Sequence, residues 1–344
     1  MVLLIVLTLA GAATLSAGLV VALMPLLRRY GLARPNARSS HLTPTPQGAG
    51  LAVVLAAALA TAIGLAFGGA AGEVMREAAM VLAASLILAA TGAIDDLAPL
   101  GPLAKLVPQV LAVTLVVFFA APADARIFPV LPLALERALA VLAGVWFVNL
   151  VNFMDGIDWI TVAGCGVPLA ALAILGGATL SQGVAAPVLA AALCGALIGF
   201  SPFNKPVARV FLGDVGSLPI GLILGYGLYR LALSGHLAAA LILPLYYLWD
   251  SGTTLLRRLS RRETVWEAHR SHVYQRATDA GWSVGAVVGQ IFALDVALGA
   301  IALISVWQDS ILISALMLIL AMVLVALSAA RLVSGPSAMR ETSA

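Results

Sequence analysis

Long apolar runs recur along the chain and restrict its possible folds more than any other feature of the sequence. Of the 344 residues, 62% are hydrophobic and 10% are charged, whereas soluble domains carry about 45–50% and about 25%. A soluble globule needs more polar residues than this to cover its surface, so that class is excluded. Because a helix of about 20 apolar residues crosses the hydrocarbon core of a bilayer, the runs predict an all-α integral membrane protein.

The apolar runs predict about 11 transmembrane helices. The predicted ranges are 2–27, 49–69, 77–94, 103–120, 135–152, 160–177, 184–200, 216–234, 236–256, 285–306 and 310–330. The first is interpreted as a spanning helix and not as a cleaved leader, because it lacks a basic start and ends at Arg28 and Arg29. No internal repeat is visible, so residues 1–344 are interpreted as a single polytopic domain.

The basic residues predict the orientation of these helices. If successive loops alternate between the two sides, four of the 19 Lys and Arg residues fall on one side and 15 on the other. The richer side is expected to be cytoplasmic, which places the amino terminus outside and the carboxyl terminus inside. The loops rich in Asp, Asn, His and Gly lie on the same side, among them the long cytoplasmic loop predicted at 257–284.

Two adjacent carboxylates, Asp95 and Asp96, follow a predicted helix, and Lys105 comes shortly after them. Neighbouring carboxylates repel each other unless a cation or a metal ion is near. The pair therefore indicates either a site for a cation or a solvated helix end.

Polar residues recur at every third position in Asn149, Asn152 and Asp155, and they are followed by Gly156 and Asp158. On a helix, three such positions share one arc about 120° wide. Gly156 can end the helix, and Asp158 is then expected to turn back toward the arc. Because polar groups inside a membrane are costly and usually functional, the pattern predicts a site and not only a solvated helix end.

The stretch Gly213-Asp214-Val215-Gly216-Ser217 directly precedes a predicted helix whose first turn accepts Pro219. Free backbone N–H groups and the positive end of the helix dipole favour phosphate at such a position. Asp214 is a candidate ligand for Mg²⁺, which prefers oxygen donors. Ser217 as a plain helix cap is the alternative.

Histidines and arginines cluster in the polar loop. On a helix, His269, His272 and Arg276 would share one face. Two histidines without a third nitrogen or sulfur ligand make a weak zinc site, so a cationic site for a nucleotide diphosphate is favoured, with a solvated or lipid-binding basic loop as the alternative. Asp250 and Asp295 stand alone in the sequence and are interpreted as structural.

In this order, the motifs resemble the polyprenyl-phosphate N-acetylhexosamine-1-phosphate transferases of glycosyltransferase family 4, most closely the WecA/WbpL-like bacterial branch. The residues that carry the resemblance are His41-x-x-Pro44-Thr45-Pro46, Asp95-Asp96, Asn149-x-x-Asn152-x-x-Asp155-Gly156-x-Asp158, Phe211-x-Gly213-Asp214-x-Gly216-Ser217 and His269-x-x-His272. The resemblance implies a bundle of ten or eleven transmembrane helices with a cytoplasmic active-site cleft, in agreement with the apolar runs.

The resemblance also implies roles for individual residues. The residues expected to be catalytic are Asp95, Asp96, Asp155 and Asp158. Those expected to bind the substrates are Lys105, Asn149, Phe211, His269, Arg270 and His272. Asp214 and Asn152 are expected to form a site for Mg²⁺, with Mn²⁺ as an alternative.

The activity implied by the resemblance is transfer of an N-acetylhexosamine 1-phosphate from a UDP-sugar to undecaprenyl phosphate, with release of UMP. The reaction would take place on the cytoplasmic face of the bacterial inner membrane. The expected partners are a UDP-N-acetylhexosamine-type sugar, undecaprenyl phosphate and the lipid bilayer; nucleic acid is not expected, and a homodimer is left open. Direct displacement is the expected mechanism, and a route through an aspartyl phosphate is the alternative.

Three departures from the family pattern bear on specificity. Gln47-Gly48-Ala49-Gly50 stands where the family usually has Arg-Gly-Gly-Gly, Trp159-Ile160 stands where Gly-Leu is frequent, and His269-Arg270-Ser271-His272 stands where His-x-His-His is usual. The first two concern the sugar of the donor, and the third favours a role in initiating O-antigen or exopolysaccharide synthesis. A phospho-N-acetylmuramoyl-pentapeptide transferase is the alternative within the family, and a secondary transporter is the alternative from another class.

Overall fold

The computed structural model describes residues 1–33, 44–70, 72–178, 184–263 and 270–336. The helices in these ranges are α1 (Val2–Tyr30), α2 (Gly50–Phe67), α3 (Glu73–Leu97), α4 (Pro102–Leu115, continued by a π-helical turn at Val116–Ala120), α5 (Leu133–Met154), α6 (Ile160–Ala178), α7 (Ala185–Asn204), α8 (Asp214–Leu233), α9 (Leu237–Ile242), α10 (Leu245–Ser260), α11 (Val273–Asp279), α12 (Val284–Gln308) and α13 (Ile311–Ser334). Nine of them are long and apolar enough to cross a membrane. The protein is therefore an all-α, multi-pass integral membrane protein, as predicted.

All eleven predicted spans are helical, but one of them is not a single helix. The range predicted as 236–256 forms α9 and α10, which are separated at Leu243 and Pro244. Proline has no backbone N–H and clashes with the preceding turn, so it interrupts a helix. Because α9 and α10 are each too short to cross a membrane alone, the count of eleven crossings stays a prediction.

Glycines allow α2 and α3 to approach the start of α8 closely. An ideal Cβ built on Gly92 of α3 would lie 2.2 Å from the backbone oxygen of Asp214. One built on Gly50 of α2 would lie 2.3 Å from Cα of Gly216. Since no side chain fits at either contact, these helices meet backbone to backbone. The end of α3, with its two acids, is thereby held against the first turn of α8.

The opposite ends of the same helices are joined by buried charges. Arg230, near the end of α8, forms an ion pair with Glu77, near the start of α3, and donates to the hydroxyl of Tyr226 at 2.9 Å. Arg137, near the start of α5, donates to the hydroxyl of Tyr229 at 2.6 Å and to backbone carbonyls such as that of Val117 at 2.9 Å. The antiparallel pair α3 and α8 is therefore fastened at both ends.

A small β-structure connects the chain before α2 with the chain before α8. Strands β1 (Leu32–Ala33) and β2 (Thr45–Pro46) pair antiparallel. Gln47, which follows β2, forms a parallel bridge with Phe211, and the N–H of Gly50 donates to the carbonyl of Leu212 at 2.8 Å. These contacts bring the segment 45–50 to the end of the bundle that carries the acids.

Candidate active site

The carboxylate of Asp96 lies at the amino-terminal end of α8. Its Oδ1 accepts hydrogen bonds from the backbone N–H of Asp214 at 2.9 Å and from Nε2 of Gln47 at 2.6 Å. Its Oδ2 accepts from the N–H of Val215 at 3.1 Å. A carboxylate here satisfies N–H groups that the helix leaves unpaired and is stabilised by the helix dipole. The prediction of free N–H groups for a phosphate is therefore wrong, because an acid from α3 already accepts from the first two.

Asp95 contacts a different part of the chain from its neighbour, at the start of α4. Its Oδ2 forms an ion pair with Nζ of Lys105, and its Oδ1 accepts from the N–H of Leu100 at 2.7 Å. The same Nζ lies 3.5 Å from Oδ2 of Asp214. The side chains of Lys105 and Asp214 are 34% and 25% exposed, so a ligand can reach this group from solvent. One ammonium group thus bridges two carboxylates from different helices, Asp95 and Asp214, and not the adjacent pair Asp95 and Asp96 for which a cation was predicted.

Asn152, near the end of α5, orients Asp214. Its amide nitrogen donates to Oδ1 of Asp214 at 2.9 Å and to the hydroxyl of Ser217 at 2.8 Å. This contact supports the prediction that Asn152 and Asp214 belong together. In the structure, however, Asn152 contacts Asp214 through nitrogen, so its role as a metal ligand stays a prediction.

Asp95 and Asp214 could hold a hard cation between them. Among the residues that the structure describes, no three or more His, Cys, Asp or Glu side chains form a metal-binding group. Mg²⁺ does not require such a group, because proteins usually bind it through one or two carboxylates together with waters and substrate phosphates. The donor set therefore fits Mg²⁺ shared with a phosphorylated substrate and does not fit a metal enclosed by protein ligands.

The polar arc predicted for α5 is divided among different partners. Asn149 forms a reciprocal amide pair with buried Gln109 of α4, at 2.6 and 3.2 Å, and does not contact the acids. Asp158 is buried and accepts from the N–H of Ala208 at 2.9 Å, in the loop between α7 and α8. Its carboxylate thus holds a neighbouring loop, and its charge also acts on Asp155 of the arc. The expectation that Asp158 turns back toward the arc stays a prediction.

Asp155 directly follows α5 and accepts a hydrogen bond from the hydroxyl of Thr161 at 2.5 Å. The residue as a whole is partly exposed, whereas its carboxyl group is enclosed by neighbouring atoms. This burial raises the pKa of Asp155 to about 7, with a further contribution from the carboxylates of Asp214 and Asp96. Asp155 is thus close enough to Asp214 and Asp96 for their negative charge to affect its pKa.

Phe211 is half-buried beside the segment 45–50. Its backbone N–H donates to the carbonyl of Pro46 at 2.8 Å, and its carbonyl accepts from the N–H of Ala49 at 3.1 Å. Both main-chain groups fix its place three residues before Asp214. Stacking of its ring on a uracil base stays a prediction.

The loop after α10 does not have the predicted helical face. Helix α11 begins at Val273, so His272 precedes the helix and cannot share a helical face with Arg276. His269 and His41 lie outside the described residues. The helical spacing gave the wrong face for His272 because this residue is extended and precedes the first turn of α11.

His272 and Arg270 each contact an acid. His272 is buried, and its Nδ1 lies 3.0 Å from Oδ1 of Asp250 on α10. Arg270 is half-buried and donates to Oδ1 of Asp279 at 3.1 Å. A role for either residue in binding a diphosphate stays a prediction.

Comparison with known proteins identifies the family. A profile described as Glycosyl transferase family 4 matches residues 78–232, which include Asp95, Asp96, Lys105, Asn152 and Asp214. The phospho-N-acetylmuramoyl-pentapeptide-transferase of Deinococcus radiodurans is 32% identical over 227 residues, covering 59% of this chain and 69% of the relative. The chain belongs to glycosyl transferase family 4.

Two further relatives are named for N-acetylglucosamine and not for phospho-N-acetylmuramoyl-pentapeptide. The decaprenyl-phosphate N-acetylglucosaminephosphotransferase of Mycobacterium tuberculosis is 32% identical over 219 residues, which are 58% of this chain and 53% of the relative. A probable undecaprenyl-phosphate N-acetylglucosaminyl 1-phosphate transferase of Bacillus subtilis is 29% identical over 157 residues, which are 42% of this chain and 41% of the relative. The match thus spans about half the length of the mycobacterial protein.

Three residues of this family 4 protein support the site and carry no predicted role. Gln47 binds Asp96, and Asp250 binds His272. Buried Asn204 accepts from the N–H of Trp159 at 2.9 Å and donates to the carbonyl of Val210 at 3.0 Å, which joins two loops. A polar residue at the end of an apolar helix was the available signal for Asn204, and an isolated acid inside a predicted span was the signal for Asp250. Their partners are distant in sequence and could not be identified from spacing.

Proposed function

We propose that the protein transfers an N-acetylhexosamine 1-phosphate from a UDP-sugar to undecaprenyl phosphate and releases UMP. The observation that carries the proposal is the cluster of Asp95, Lys105, Asn152 and Asp214, which four different helices bring to one end of the bundle. A membrane protein of glycosyl transferase family 4 with such a cluster is suited to join a soluble phosphorylated donor to a lipid phosphate.

The proposed reaction is a direct displacement. An oxygen of the lipid phosphate attacks the phosphorus that carries the sugar, a new P–O bond forms, and the bond to UMP breaks with its electron pair on the UMP oxygen. The lipid phosphate is already an anion, so the protein's task is to bring two anions together and to stabilise the charge of the leaving group. Lys105 can neutralise phosphate charge there, while Asn152 and the N–H groups at the start of α8 hold Asp214 and Asp96 in place.

The protein is further proposed to use Mg²⁺ held by Asp95 and Asp214, with Mn²⁺ as an alternative. When bound, the ion would supply positive charge to the substrate phosphates. Asp96 then holds the start of α8 in place and is not a ligand of the metal ion, because its oxygens accept hydrogen bonds from Gln47 and from two backbone N–H groups.

UDP-N-acetylglucosamine is the first donor to test. Support comes from the mycobacterial and Bacillus relatives, whose names specify N-acetylglucosamine. A phospho-N-acetylmuramoyl-pentapeptide donor is the second candidate, because the Deinococcus relative is named for it. The match to this chain also covers a larger share of that relative than of the mycobacterial and Bacillus proteins. With UDP-N-acetylglucosamine as the donor, the proposed role of the reaction is to initiate O-antigen or exopolysaccharide synthesis at the cytoplasmic face.

The decisive experiment uses the purified full-length protein with undecaprenyl phosphate, Mg²⁺ and a panel of UDP-sugars that includes UDP-N-acetylmuramoyl-pentapeptide. The expected result is UMP release matched by lipid-linked sugar phosphate with one donor class. Asp214→Asn is expected to lower the rate about 100-fold or more, because one carboxylate of the cluster is lost. Asp124→Asn makes the same change at an exposed position in the loop before α5 and is expected to retain full activity.

Other outcomes would contradict the proposal. An inactive wild-type protein with every donor, or an Asp214→Asn variant as active as Asp124→Asn, would exclude the proposed site. Transport of a solute into proteoliposomes without UMP release would favour a secondary transporter instead.

A further inference from the structure

Asp250 is fully buried in α10 and accepts hydrogen bonds from two parts of the chain. Two donors belong to its own helix, namely the hydroxyls of Tyr246 at 3.2 Å and Thr254 at 3.3 Å. The other contacts come from the start of α11: Nδ1 of His272 at 3.0 Å, the N–H of Val273 at 2.9 Å and the N–H of Tyr274 at 3.4 Å. Asp250 therefore joins α10 to the stretch 272–274.

The hydrogen bonds of Asp250 that connect α10 to the stretch 272–274 are called the joint below, and breaking this joint costs free energy. A buried carboxylate is tolerated only where hydrogen bonds replace its hydration. Removing it would leave buried N–H groups of Val273 and Tyr274 without their acceptor, which is more unfavourable than losing an exposed hydrogen bond. The location of the stretch 272–274 thus depends on the carboxylate of Asp250.

The same stretch packs against the end of α5. The hydroxyl of Tyr274 donates to the backbone oxygen of Phe153 at 3.2 Å. An ideal Cβ on Gly156 would lie 2.1 Å from that hydroxyl, so only glycine leaves room for the tyrosine. Phe153 directly follows Asn152, which holds Asp214. Asp250 is therefore linked to Asp214 of the acid cluster through Tyr274, the adjacent residues Phe153 and Asn152, and the hydrogen bond from Asn152.

We propose that Asp250 is a positioning residue, which fixes the basic stretch 270–276 beside the acid cluster so that this stretch can bind the diphosphate of the nucleotide donor. The identity of the ligand, a nucleotide donor, rests on the proposed function. The joint itself rests only on the hydrogen bonds between Asp250 and residues 272–274. Asp250 does not touch the donor in this proposal. It acts through His272 and the start of α11.

Two experiments test the two parts separately. The first follows hydrogen exchange of the backbone amides in 272–279 for the full-length wild-type protein and for Asp250→Asn, without substrates. Exchange at Val273 and Tyr274 is expected to become at least about tenfold faster, because an amide nitrogen replaces one accepting oxygen. Unchanged exchange would overturn the proposal. This readout needs no catalytic activity, so it decides on the joint even if the proposed reaction is not observed.

The second experiment compares a matched pair on α10 that keeps the buried carboxylate. Tyr246→Phe removes one donor to Asp250, whereas Tyr247→Phe removes a donor to the carbonyl of Ile160, which lies at 3.0 Å. Tyr246→Phe is expected to raise the KM for the UDP-sugar about threefold and to leave the KM for undecaprenyl phosphate unchanged. Tyr247→Phe is expected to change neither KM, since it does not touch the joint.

The same kinetics on Asp250→Asn complete the test. A rise of about tenfold or more in the KM for the UDP-sugar, with the lipid KM unchanged, would support positioning. An equal loss for both substrates, or equal effects of Tyr246→Phe and Tyr247→Phe, would overturn it. If Asp250→Asn does not fold, the tyrosine pair decides. A wild-type protein without UMP release would contradict the proposed function and not the joint.

Discussion

At the scale of single residues, two adjacent carboxylates of the same type perform different tasks. Asp96 accepts from the first N–H groups of α8, while Asp95 pairs with Lys105 on the accessible side. The difference arises because consecutive residues of a helix point about 100° apart. One acid therefore reaches the backbone of α8 and the other reaches the start of α4. Adjacent acids in a motif need not share a function.

This division predicts different effects of the same substitution. Asp96→Asn is expected to lower the free energy of unfolding by about 1–2 kcal/mol, since the charged acceptor at the start of α8 is lost. Asp95→Asn is expected to change stability by less than about 0.5 kcal/mol, because a partly exposed ion pair contributes little, and to reduce UMP release about 100-fold. Thermal unfolding in detergent and the transfer assay measure the two effects. Equal destabilisation by both variants would contradict the assignment.

At the scale of helices, the site depends on close contact between α3 and α8. Gly92 permits that contact because its missing side chain would collide with the backbone of Asp214. The ion pair between Glu77 and Arg230 fastens the far ends of these helices. The acids at the near end are therefore placed by packing along the whole length of the pair.

Gly92→Ala is expected to separate the two helices. A methyl group placed 2.2 Å from a backbone oxygen should cost about 1–3 kcal/mol of unfolding free energy and abolish most of the activity. Gly11→Ala in α1 is the matched control, because nothing lies within 4 Å of its ideal Cβ; it should be neutral or slightly stabilising. Thermal unfolding compares the two variants, and equal melting temperatures would refute the close-contact argument.

At the scale of the whole molecule, the described functional side chains collect at one end of the bundle. The ends of α3 and α5 and the starts of α4 and α8 meet there. The positive-inside rule predicts that this end is cytoplasmic. Residues at the two ends of α8 should then lie on opposite sides of the membrane.

Two isosteric substitutions test this orientation. Ser234 follows α8 at the far end, and Ser260 ends α10; both serines are exposed. In intact cells, a membrane-impermeant thiol reagent is expected to label Ser234→Cys and to leave Ser260→Cys unlabelled until the cells are opened. The native Cys165 and Cys194 are buried, so the background should be low. The reverse labelling pattern would contradict the proposed orientation.

The sequence by itself determined the class of protein, the positions of the long apolar helices and the family, whereas α11 lies in a range predicted as a loop. These follow from local properties: the length of each apolar run matches a bilayer, and motif residues keep their order along the chain. The split of α9 from α10 at Pro244 could not be read from the proline alone, because Pro168 lies inside α6 without ending it. The sequence also predicted Asp95, Lys105, Asn152 and Asp214 as site residues, but it gave them separate roles and grouped them with others such as Asn149, which contacts Gln109 instead.

Only the tertiary structure decided which group each polar side chain contacts. Asp96 reaches the amides of α8, Asn149 pairs with Gln109, and Asp250 holds the start of α11. Each of these partners is 23 to 118 residues away along the chain. The spacing of residues within one helix reports the direction of a side chain and says nothing about what another helix places opposite. Hydrogen-bond partners in a helical bundle are therefore decided by packing between helices, which local sequence does not specify.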